Sequence, residues 1–189
     1  MVQAPRIRCR RQAGFTLVEL MAVVVITGIL AIVGVAVFRK YIFSAKSGEA
    51  MSVIQAIRGA EESYLAENHV YLNVSTSGGT DAVNGKNWYP RLVPNRDYVT
   101  WGVGGDDLTN WKALGPGINH PVQFSYLVNA GLAGVAMTKP QDMADPGFGI
   151  PPQSWYLIQA KGDTDGDGVF VNYASSSMTG VIYSERDGE

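Results

Sequence analysis

Thiol chemistry is all but missing from this sequence. Its 189 residues hold one cysteine, Cys9, in an arginine-rich N-terminal stretch. Beyond it, an intrachain disulfide, a cysteine nucleophile and a thiolate metal site are all excluded. An exported body would therefore rest on packing, or on packing and a metal. Histidine is scarce as well: His69 and His120 are far apart and lack the spacing of a metal-ligating pair. Ser175-Ser176-Ser177 has no nucleophile elbow around it. The glycine pairs at 78–79 and 104–105 match no phosphate-binding loop. These absences predict a protein that is not an enzyme.

Positive charge is also short outside the first 14 residues. That stretch holds Arg6, Arg8, Arg10 and Arg11 and no acid; the remainder has 11 Lys and Arg against 17 Asp and Glu, a net charge of −6. Phosphate binding needs a basic patch, so this balance argues against nucleic acid as the main partner.

Ionisable residues are missing from a third place. Between Phe15 and Phe38, 24 residues carry one, Glu19. As a helix this run spans about 36 Å, enough to cross a bilayer core of about 30 Å. The arginines before it would remain in the cytoplasm and the body would face outward. The run is too long for an ordinary secretory signal. A plain membrane anchor accounts for the length and the arginines but not for Glu19, which costs on the order of 2.5–3.5 kcal/mol at mid-membrane and less near the edge. A charge in lipid calls for a partner. Were the chain cut between Gly14 and Phe15, a new amine would stand at Phe15, and in a bundle of identical helices Glu19 of one copy would meet the amine of the next.

The string Gly14-Phe15-Thr16-Leu17-Val18-Glu19-Leu20, after a short basic leader and before an apolar run, is similar to the prepilin signal of type IV pilins and of their relatives, the type II secretion pseudopilins. The match covers roughly residues 8–40, and the short leader fits the type IVa class. The resemblance implies that a membrane prepilin peptidase cuts after Gly14 and methylates the amine of Phe15, and that Glu19 acts in assembly. It implies as partners further copies in a helical filament, the pilus or secretion assembly machinery, and the inner membrane before assembly. Ala36 stands where many members of the family carry proline; Gly28 and Gly34 remain as weak points of the helix.

Beyond Arg39 and Lys40 the apolar residues Ala50, Val53, Ile57, Ala60 and Tyr64 recur at helical spacing, one stripe for packing on a sheet. The helix is expected to end near Asn68, with His69 capping it or solvated. Residues 73–87 read as a loop; its Asn73-Val74-Ser75 matches a glycosylation acceptor pattern that is common by chance. Asp107–Gly115 reads as a short helix ended by glycine, with Trp111 and Leu114 facing the core. Strands are expected over Val122–Val128, Ser154–Ala160, Val169–Tyr173 and Gly180–Ser184. Residues 130–152, with Pro140, Pro146, Pro151 and Pro152, read as an irregular surface excursion. The expected fold is α+β and pilin-like: a long N-terminal helix packed on an antiparallel sheet of about four strands. The expected organisation is a cleaved leader at 1–14, a transmembrane and assembly half of the helix at 15–40, and a head at 41–189.

Within Gly162–Gly168, Asp163, Asp165 and Asp167 alternate and a glycine follows. This is the first half of a calcium loop, to which Val169 would add its backbone carbonyl. The place of the bidentate glutamate holds Ala174, and the loop joins strands, so it is not an EF-hand. An acidic hairpin turn built on Asp-Gly chemistry is the other reading. As a whole the sequence predicts a structural subunit of an extracellular type IV-like pilus. The alternatives are a type II secretion pseudopilin and, from another class, a monomeric membrane-anchored binding protein.

Overall fold

The computed structural model describes residues 14–75, 88–105, 107–137, 139–140 and 142–186. The leader over residues 1–13 and most of the loop expected over 73–87 lie outside the described residues. The chain divides into two compact units between Lys40 and Tyr41. Helix α1, Leu17–Asn68, contributes to both with its 52 residues.

In the first unit α1 is apolar on every side, so it has no internal face to bury. The large apolar side chains from Phe15 to Phe38 are 50–82% exposed. The helix is long and apolar enough to cross a membrane, and Gly28, Gly34 and Ala36 do not interrupt it.

In the second unit α1 becomes amphipathic. Ala50, Val53, Ile54 and Ile57 are buried, and Ala60 and Tyr64 extend the stripe. His69 ends the helix: its backbone turns left-handed at φ 60°, while its N–H still reaches the Leu65 carbonyl at 2.8 Å.

The stripe shares one core with an antiparallel sheet of order β3-β4-β5-β6. Its strands are β3 (Ser125–Gly131), β4 (Trp155–Gly162), β5 (Val171–Ser176) and β6 (Ile182–Glu185). Side chains alternate across a strand. Tyr126, Val128, Tyr156, Ile158, Ala160, Val171 and Tyr173 belong to the core shared with α1. Trp155, Leu157 and Ala174 belong to a second cluster with Met137, and Met143 and Phe148 pack against it. The excursion expected on the surface is therefore a second layer over the outer face of the sheet. Beyond the end of β3 its described residues have no regular secondary structure, yet it is tied down: Lys161 Nζ meets Asp142 at 2.6 Å, Asn172 Nδ2 donates to the Asp142 carbonyl at 2.9 Å, and the Ala144 N–H donates to Glu185 at 2.8 Å.

The strand expected over Val122–Val128 is divided. β2 (Pro121–Val122) pairs with β1 (Val99–Thr100) in a separate two-stranded sheet, and β3 begins three residues further on. Gln123 and Phe124 make the bend. The Gln123 N–H leaves the ladder for Glu49 Oε1 at 2.8 Å. The Phe124 ring lies so close over Gly162 that a Cβ there would stand 2.4 Å from it. Strands β4, β5 and β6 run later than expected, through Lys161-Gly162, Ala174-Ser176 and Glu185. Their ladder partners, not their own β propensity, keep these residues in the sheet. Helix α2 (Leu108–Leu114) buries Trp111 and Leu114, and Gly115 ends it at φ 62°, as the sequence leads one to expect.

Candidate assembly segment and acidic loop

Gly14 and Phe15 precede α1, and both are exposed. The next residues close a capping box. The Thr16 N–H and Thr16 Oγ1 each donate to Glu19 Oε2 at 2.9 Å, and the Glu19 N–H donates to Thr16 Oγ1 at 3.2 Å. The first N–H groups of a helix have no partner within the helix. In a water-poor surrounding, Thr16 and Glu19 satisfy two of them reciprocally. The T-x-x-E spacing at 16–19 is a sequence signal for this contact. Glu19 thus has a local role within its own chain, beside the expected role between copies.

The aspartates of the acidic loop do converge. One carboxylate oxygen from each of Asp163, Asp165 and Asp167 lies within 4.8 Å of the others. The loop joins β4 to β5. Gly166 and Gly168 turn it, at φ 88° and 85°, values that suit glycine. Asp163 is buried, and its two oxygens accept the N–H groups of Gly166 (2.6 Å) and Gly168 (3.2 Å). Asp165 accepts from the Asp167 N–H at 3.2 Å, and Asp167 from the Val169 N–H at 2.7 Å. Oxygen ligands at 2.3–2.6 Å from a calcium ion stand at most about 5 Å apart. The spread of these oxygens fits that limit, and each carboxylate retains further lone pairs.

Two cations that the sequence reading did not connect with the loop reach it from elsewhere. Lys46 on α1 donates through Nζ to the Thr164 carbonyl. Burial, and then the neighbouring Arg96, lower the pKa of its ammonium, while Asp165, Glu49 and Asp163 act the other way. The Arg96 side chain lies over Gly166. Gln123 completes the junction, donating from Nε2 to the carbonyls of Arg96 and Asp163 at 3.3 and 3.2 Å.

A family model described as "Prokaryotic N-terminal methylation motif" matches residues 9–35, the stretch that holds Gly14, Phe15 and Glu19. The chain is type IV pilin-like. It is 36% identical over 76 residues to the fimbrial protein EcpC of Eikenella corrodens, covering 40% of this chain and 50% of that protein. It is 38% identical over 69 residues to the type IV major pilin protein PilA of Myxococcus xanthus, 36% of this chain and 31% of that one. To the type IV major pilin protein PilE of Neisseria gonorrhoeae it is 33% identical over 78 residues, 40% and 47% of the two chains. It therefore spans half or less of the length of these relatives. No solved structure matches it. The long apolar helix and the four-stranded antiparallel sheet complete a pilin-like arrangement.

Proposed function

We propose that this pilin-like chain is a structural subunit of an extracellular type IV-like pilus. A prepilin peptidase removes the leader after Gly14 and methylates Phe15, and the product waits in the inner membrane with its head outside. Assembly machinery then draws copies into a helical filament through the apolar half of α1, where Glu19 of one copy meets the Phe15 amine of the next. The observation that carries this reading is the methylation motif at residues 9–35 on a helix whose large apolar side chains stay exposed through Phe38. Such a surface needs lipid or like helices around it. Mass spectrometry of filaments sheared from the cell tests it. An abundant peptide beginning at N-methylated Phe15 is expected. A chain that keeps Met1–Gly14 sinks the reading.

The acidic loop favours a second reading, a pseudopilin of a type II secretion system that remains in the periplasm. With no thiol after Cys9, a calcium ion held by Asp163, Asp165, Asp167 and the Val169 carbonyl would fasten the β4–β5 connection. Its chemistry there is charge neutralisation and nothing more. At a calcium concentration about 100 times its Kd the ion would add about 2.7 kcal/mol to stability. The full chain in detergent is then expected to melt at a lower temperature in EDTA than in calcium, and Asp165→Ala to abolish the difference. An identical melting temperature in both buffers removes calcium from the account.

A further inference from the structure

β3 is the edge strand of the four-stranded sheet, yet its outer side is covered. Tyr89 exchanges both backbone hydrogen bonds with Tyr126, at 2.9 and 2.6 Å. Further along, the stretch Tyr71–Ser75 that follows α1 runs beside the strand. The Ser75 N–H donates to the Val128 carbonyl at 2.9 Å, Ser75 Oγ accepts the Val128 N–H at 3.0 Å, and Asn73 Oδ1 accepts the Ala130 N–H at 3.4 Å. An uncovered edge is a template for pairing with another chain, and this short strap removes it.

The strap is tied to α1 in turn. The Leu72 N–H donates to Glu61 Oε2 at 3.0 Å, and the Tyr71 hydroxyl to Glu62 at 3.2 Å. Glu61 is fully buried, and among the described residues its Oε1 has no hydrogen-bond partner. Among the described residues, the titratable groups that act on it are Glu62 on α1 and Tyr71 on the strap, whose ring meets that of Tyr156 on β4 edge-on at 4.8 Å. Arg58 on α1 is engaged by Tyr156 and by the carbonyls of Thr179 and Gly180. A buried carboxylate with one bare oxygen and an acidic neighbour is costly, and a neutral carboxyl in its place costs much less.

We propose that Glu61 is a proton-controlled pin: protonated, it holds the strap on α1 and keeps the β3 edge covered; ionised, it releases the strap and uncovers the edge. Burial pushes the Glu61 carboxyl up to about 8 from 4.5; the Leu72 N–H pulls it down and Glu62 pushes it up further. The folded chain therefore holds this proton through a pH window in which an unfolded chain has lost it. Stability is full below the lower value, declines as pH rises between the two, and is lost once pH passes the upper one.

Amide hydrogen exchange on the full chain in detergent, from about pH 4 to about pH 10, tests the pin. After correction for intrinsic exchange, protection at Leu72, Ser75 and Val128 is expected to fall about tenfold per pH unit between about 4.5 and about 8 and to level off above, while the β4–β5 ladder keeps its protection. In Glu61→Gln, neutral and of the same shape, strap protection stays flat. A flat profile in the native chain, or an equal fall in Glu61→Gln, overturns the proposal. If that variant does not fold, the carboxyl 13C resonance of Glu61 in the native chain decides: a midpoint near 8 supports the pin, and one near 4.5 overturns it.

Discussion

Thr16 and Glu19 answer at the residue scale how an acid can stand at the head of an apolar helix. Three hydrogen bonds join the pair, so the carboxylate is already partnered within its own helix. Removing the hydroxyl removes two of these bonds. Thr16→Val is expected to weaken the first turn by about 1 kcal/mol. Amide exchange at Glu19 in bicelles would read this as a roughly fivefold loss of protection; an unchanged rate would show that the box does not form in lipid. Glu61 shows the opposite arrangement. It lies four residues after Ile57, on the stripe itself, so its burial was open to a reading of spacing. The missing hydrogen-bond partner of one oxygen was not, because that depends on what the strap and the sheet bring against it.

At the scale of elements, the second half of α1 and the core side of the sheet were legible because both follow a period. The stripe from Ala50 to Tyr64 recurs every three or four residues, and Trp111 and Leu114 sit one turn apart. The outer face of the sheet was not legible. Its cover is the aperiodic stretch around Met137, Met143 and Phe148, which contains prolines and, among its described residues, no regular element. Two substitutions compare the layers. Ile57→Ala on the helix side and Leu157→Ala on the excursion side each empty a fully buried position. Each is expected to cost about 2–5 kcal/mol in denaturant unfolding. A loss below about 1 kcal/mol at Leu157 would mean that the excursion does not pack as a layer. Gly162→Ala should also destabilise, because its new Cβ would meet the Phe124 ring at 2.4 Å and one of them must move.

For the whole molecule, the assembly reading makes Glu19 dispensable for insertion and necessary for the filament. Glu19→Ala is expected to reach the membrane in normal amounts, since it removes a charge from lipid, and to be missing from sheared filaments. Immunoblots of membrane and sheared fractions separate these outcomes; abundant filaments of the variant would leave the carboxylate with its capping role alone. The methylation motif over residues 9–35 and the apolar run were readable in linear order, because both are patterns of contiguous residues. The amphipathic stripe was readable for a related reason: a helix converts sequence spacing directly into a face. Other features emerge only in three dimensions. Lys46 reaches the Thr164 carbonyl across 118 residues, and Arg96 is placed over the same acidic loop by a different segment. Asn73 and Ser75 cover the edge of β3 only because α1 stops at Asn68 and turns the chain back at His69. Spacing within a segment carries no information about which distant segment will lie against it; packing decides that, and with it the charge balance of the acidic loop and what surrounds the Glu61 carboxyl.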